Sequence, residues 1–207
     1  MRVFPVIAAV LVATLAQPAA AGRDDGAGLA EGMAALRDET ASMLADLPER
    51  KLEELRRSPR AFIEMAADMI YGFGTAGALG PEGIDRYIAM GRAQIRAREI
   101  RRFLLADLDD DGVVTEAEIN VLIAAEAATS RGRLYLAFRS ADTAGGAPDG
   151  RVDLDEMRAH ASRVALEEID AVKVDRIRSI LLFDLDGDGR VTLPEVTDAV
   201  EALTGPV

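Results

Sequence analysis

The chain contains no cysteine, and its 207 residues include a single histidine, His160. Without cysteine there is no disulfide and no thiolate site, so stability must come from a packed core and from any bound metal. One histidine with no cysteine and no second imidazole does not assemble a zinc site. His160 is therefore expected at the surface or in packing. Positive charge is also in short supply: 24 lysines and arginines face 36 aspartates and glutamates, a formal net charge of −12. That balance argues against a nucleic-acid partner. The sequence has no nucleophile elbow, no phosphate-cradling glycine loop leading into a helix, and no paired carboxylates outside its acidic loops. No enzyme class is indicated.

Long apolar runs are confined to the N-terminus. The segment MRVFPVIAAVLVATLAQPAAAG has a positive start at Arg2, an apolar stretch from Val3 to Leu15, and small residues at Ala19, Ala20 and Ala21. This is the pattern of a secretory signal over residues 1–21, cleaved near Ala21. It predicts an exported chain, periplasmic or extracellular, beginning near Gly22. The run is too short and too interrupted to span a membrane, and no later segment qualifies.

Two acidic segments carry the most specific information. Asp107–Glu118 reads DLDDDGVVTEAE and Asp184–Glu195 reads DLDGDGRVTLPE. Each places aspartate at its first, third and fifth positions, glycine at the sixth, valine at the eighth, threonine at the ninth and glutamate at the twelfth. Carboxylates at alternate positions around a sharp turn concentrate oxygens, the donors that a hard cation such as Ca²⁺ prefers. Gly112 and Gly189 stand where the chain must turn and a Cβ would be penalised. Val114 and Val191 are β-branched and suit a short strand.

In these residues the chain resembles the EF-hand superfamily, in particular calmodulin-like and calsymin-like exported bacterial members. The resemblance covers about residues 59–203. It implies that Ca²⁺ is held by Asp107, Asp109, Asp111, the carbonyl of Val113, Thr115 and Glu118 in one loop. In the other loop the corresponding ligands are Asp184, Asp186, Asp188, the carbonyl of Arg190, Thr192 and Glu195. Beyond binding, three roles stay open: a calcium-dependent interaction or sensor module with a protein partner, a calcium buffer or calcium-stabilised structural protein without a regulated target, and, last, a calcium-regulated enzyme.

Two further segments share the frame. Gly72–Ile84, GFGTAGALGPEGI, aligns without gaps and places Gly77 at the turn and Leu79 at the eighth position. Gly72, Gly74, Ala76 and Gly83 replace its carboxylates, so this unit keeps the frame without the ligands. Asp142–Glu156, DTAGGAPDGRVDLDE, has an orthodox second half in Asp149, Gly150, Arg151, Val152, Asp153 and Glu156. A strict twelve-residue frame starts it at Gly145, whereas Asp142 as first residue makes the loop three residues too long. A weak or variant site is expected there.

The four loops begin at Gly72, Asp107, Asp142 and Asp184, 35, 35 and 42 residues apart. The expected architecture is all-α: two pairs of helix-loop-helix units joined by short β-bridges, preceded by N-terminal helices at 22–58. One pair spans 59–128 and joins Leu79 to Val114; the other spans 131–204 and joins Val152 to Val191. The period of apolar residues from Glu82 to Leu108 predicts one long helix shared by the first two loops, with Ile88, Ile95, Phe103 and Leu104 as its stripe. Its arginines at 86, 92, 96, 98, 101 and 102 are expected to form a solvated face.

Overall fold

A computed structural model describes residues 49–205, which belong to one compact unit of the chain, Arg37–Val207. The signal segment and most of the predicted N-terminal helical segment lie outside the described residues. The described part is mainly helical, with two short antiparallel sheets.

The helices follow the apolar spacing. α1 (Glu49–Arg57) sets Leu55 against the core, and α2 (Pro59–Phe73) buries Phe62, Ala66, Met69 and Ile70, one stripe at helical period. Pro59 opens α2 and Pro81 opens α3 (Pro81–Leu104), where the missing N–H has no intrahelical partner to lose. α4 (Glu116–Ala125) and α5 (Ala128–Ala141) are separated by a break at Glu126–Ala127. α6 (Leu154–Glu168) is followed by α7 (Ala171–Arg178), whose first turn is capped by the Asp170 carboxylate accepting the Lys173 amide at 2.8 Å. A 3₁₀ turn, Ser179–Phe183, leads into the last loop, and α8 (Leu193–Thr204) ends at Gly205 in the left-handed region with φ +84°.

The sheets pair the loops differently from the expectation. β1 (Ala78–Leu79) pairs with β4 (Val191–Thr192), and β2 (Val114–Thr115) pairs with β3 (Arg151–Val152). Leu79 faces Val191 and Val114 faces Val152, so the expected partnerships Leu79–Val114 and Val152–Val191 do not form. The reason is α3. It runs for 24 residues without a break, about 36 Å at 1.5 Å per residue, and so holds the first and second loops at opposite ends of one rod. The break after α4 lets the second and third loops fold onto each other instead. The first and last loops are left to close the outer pair.

Each pair has its own apolar cluster. The inner one holds Phe103, Val114, Ile119, Leu134, Phe138, Val152 and Met157. The outer one holds Leu55, Phe62, Met69, Leu79, Ile84, Ile88, Ile180, Phe183, Val191, Val196 and Val200. Phe62 and Phe183 meet in it with ring centroids 5.1 Å apart. α3 and α6 run antiparallel between the clusters. Ile84 and Met157 sit in opposite cores at their N-terminal ends, and Phe103 and Ala165 at their C-terminal ends. Leu104, expected on the buried stripe of α3, is half exposed at the end of that helix. Of the α3 arginines, Arg86, Arg98 and Arg101 are exposed as expected, but Arg92 donates to the Ile169 carbonyl at 2.8 Å, and Arg98 and Arg102 bind the buried carboxylate of Glu99 at 2.9 and 2.7 Å.

Candidate metal centres

The glycine at the turn of each loop adopts the same left-handed conformation. Gly77, Gly112, Gly150 and Gly189 have φ of +79, +82, +79 and +82°. The outgoing helix begins four residues after each turn glycine, at Pro81, Glu116, Leu154 and Leu193. These four turns give the segments one frame, including the one without carboxylates.

In the loop Asp107–Glu118, the Asp107 carboxylate accepts the Asp111 and Gly112 amides at 3.2 and 3.1 Å and so closes the loop across its turn. Asp111 accepts the Val113 amide at 2.8 Å. Glu118 reaches back along the loop: one oxygen accepts the Leu108 amide at 2.9 Å, the other the Thr115 amide at 2.9 Å and its hydroxyl at 2.7 Å. Thr115 returns the contact as N-cap of α4, a capping box. Hydrogen bonds from the Thr115 amide and hydroxyl, then the Leu108 amide, hold the Glu118 carboxyl well below its usual range, at about 2.

Asp184–Glu195 repeats the arrangement. Asp184 accepts the Asp188 and Gly189 amides at 3.1 and 2.8 Å, and Asp188 accepts the Arg190 amide at 2.7 Å. Glu195 accepts the Leu185 amide at 2.9 Å and the Thr192 amide and hydroxyl at 2.8 and 2.7 Å. Burial opposes ionisation of Glu195, but these bonds together outweigh it and hold its carboxyl below the usual range.

In each loop three carboxylates converge: Asp107, Asp109 and Glu118 in one, Asp184, Asp186 and Glu195 in the other, each group with oxygens within 4.8 Å of one another. No other group of this kind occurs among the described residues. Both sets are all-oxygen, which fits a hard cation and not a thiophilic or imidazole-seeking metal. Asp111 and Asp188, the fifth-position aspartates, lie outside these convergent groups and hold the loop backbone through their amide contacts.

The segment Asp142–Glu156 does not gather its acids. Its frame is nevertheless settled. Asp142 accepts the Asp149 and Gly150 amides at 2.9 and 3.0 Å, the same two contacts that Asp107 and Asp184 make, so Asp142 is the first residue of a lengthened loop. Phe138 stands four residues before it in the core, as Phe103 stands before Asp107. The strict frame starting at Gly145 is excluded by those contacts. Asp142 is fully buried, and Arg139 lies 3.6 Å from its second oxygen. Asp149 accepts the Arg151 amide, and Asp153 and Glu156 form a capping box at the start of α6. No carboxylate takes the third position.

The first loop has a different solution. Thr75 and Ala78 bond each other's backbone at 2.9 and 3.2 Å around Ala76 and Gly77, which have φ of +55 and +79°. Two successive left-handed residues make a tight hairpin turn that needs no ion to close it. The capping boxes were readable as T-x-x-E and D-x-x-E; the Leu108 and Leu185 amides that position the two glutamates carry no side-chain signal.

These features define a helical protein with two acidic loop sites of one design. Comparison with known proteins returned no matching family model, no matching curated protein and no matching solved structure.

Proposed function

We propose that the chain is an EF-hand protein with two paired units, and that it binds Ca²⁺ through Asp107–Glu118 and Asp184–Glu195. The single observation carrying this reading is the convergence of three carboxylates in each loop around a turn closed by the first aspartate. The carboxylates of Asp111 and Asp188, the carbonyls of Val113 and Arg190 and the hydroxyls of Thr115 and Thr192 would complete an oxygen shell of the size calcium takes. An ion relieves the mutual repulsion of these carboxylates and ties each outgoing helix to its loop through Glu118 or Glu195. The segment Asp142–Glu156 would hold metal weakly, since it lacks a third-position ligand. The reading involves no catalysis, and the apolar N-terminal pattern of residues 1–21 supports an exported location, periplasmic or extracellular.

Its role would be a calcium-dependent interaction module. Leu104 and Leu105, just before the loop Asp107–Glu118, and Leu108, its second residue, are exposed by 52, 58 and 58%, and the Leu108 amide is bound by Glu118. Metal capture by Glu118 therefore acts directly on an apolar edge that a partner could cover. A second reading is a calcium buffer or calcium-stabilised protein without a regulated partner. The closed apolar clusters of both pairs, with α1 laid on the outer one, favour it. Titration with a hydrophobic dye separates the two. Fluorescence that rises on loading supports the module, and unchanged fluorescence with metal bound leaves the buffer.

A further inference from the structure

The two loop pairs are joined along the seam of α3 and α6, and a buried polar cluster lies there that metal binding does not use. His160 on α6 and Glu99 on α3 are each 3% exposed. The imidazole stands edge-on to Phe103 with centroids 5.6 Å apart. Arg163 places a guanidinium nitrogen 3.1 Å from Nδ1 of His160, and the same nitrogen bonds the Ser140 hydroxyl at the end of α5. An arginine only donates, so Nδ1 must be the accepting nitrogen and the ring proton sits on Nε2. That Nε2 is buried and has no hydrogen-bond partner.

We infer that His160 is an acid-sensitive lock beside this seam: a proton arriving at Nδ1 displaces Arg163 and unties α6 from α5. Only Nδ1 can accept the proton, and doing so removes the acceptor that Arg163 uses and sets two cations side by side. The groups facing the ring are Arg163 and Glu167 from α6, Glu99 and Arg102 from α3, and Ser140, through Arg163, from α5. Glu99 already serves Arg98 and Arg102, so it offers the imidazolium no free carboxylate. Burial first, and Arg163 second, hold His160 below the ordinary histidine range. A base with a lowered folded value favours the unfolded state as pH falls below its unfolded value. The lock therefore weakens below about pH 6.5, the ordinary histidine value, and is lost once the pH falls past the lowered folded value.

His160 is the only histidine, so the C2 proton resonance of the unmodified full chain reports its titration without assignment. The experiment follows that resonance by NMR in excess chelator, which keeps it independent of calcium binding. His160 is expected to titrate below the ordinary range, with Arg163→Gln shifting it upward and His160→Phe abolishing the fall in melting temperature between pH 7.5 and 5.5. Titration at or above the ordinary range, or a midpoint unmoved in Arg163→Gln, would overturn the inference. Should the His160→Phe chain fail to fold, the resonance of the unmodified chain decides alone.

Discussion

Leu79 separates the observed loop pairing from the one its sequence position suggests. It is fully buried in the outer cluster and faces Val191 across the β1–β4 bridge. Leu79→Ala replaces a buried isobutyl side chain with a methyl in a packed site, which costs about 2–5 kcal/mol. At roughly 2–4 °C per kcal/mol for a chain of this size, the melting temperature should drop by about 4–20 °C. The effect on metal should be one-sided. With its partner strand loosened, Asp184–Glu195 should bind Ca²⁺ more weakly, while Asp107–Glu118, bridged to Val152, should be spared. The assay is calorimetric titration in two backgrounds. Glu118→Gln leaves only the last loop to be read, and Glu195→Gln only the earlier one. Weakening confined to the earlier loop, or a melting temperature within a degree or two of the parent, would refute the pairing argument.

Other perturbations follow from the same contacts. Glu118→Gln and Glu195→Gln should each abolish one calcium site and leave the other, read as a halved stoichiometry. Gly74→Ala should destabilise by several kcal/mol in thermal melts, because a Cβ there would lie 2.3 Å from the Ile70 carbonyl oxygen and 2.6 Å from that of Ala78. Thr192→Ala removes the cap of α8 and should lower stability by about 1 kcal/mol in chemical denaturation. Glu118 and Glu195 both have lowered folded values, so their stabilisation is complete above the unfolded value of 4.5 and disappears as pH falls toward the folded ones, about 2 for Glu118. The metal-free chain should therefore lose stability between about pH 5 and 2, and less steeply in Glu118→Gln; an equal slope would contradict the hydrogen-bond assignment.

What the sequence made legible were local rules with a residue-level cause. The turn glycines and the valines of the bridges specify short-range geometry, and each stands where expected; the T-x-x-E capping boxes are local rules of the same kind. The frame of the segment beginning at Gly72 was readable for the same reason, since Gly77 still needs its left-handed φ without the carboxylates. The pairing of loops was not legible from spacing, because 35 residues separate both a pair that forms and one that does not. The deciding feature is whether the intervening helix breaks. Glu126–Ala127 breaks, whereas Pro81–Leu104 does not. The uninterrupted period from Glu82 onward already implied a rod too long to fold back on itself. The true first residue of the lengthened loop depends on backbone amides donated to Asp142, for which no side-chain pattern exists. Two partners of the α3 arginines were out of reach of local pattern: the Ile169 carbonyl that binds Arg92 and the Glu168 carboxylate that binds Arg98 lie 77 and 70 residues away, at the C-terminal end of α6.

The central claim is that two loops of one design hold calcium. Calorimetric titration of Ca²⁺ into chelator-stripped protein tests it most directly. Two sites should appear, with a weaker third at most from Asp142–Glu156, and Mg²⁺ at equal concentration should not fill them equally well, since it demands a tighter octahedral shell. Heat no greater than that of a buffer blank, in protein shown to be folded, would contradict the account.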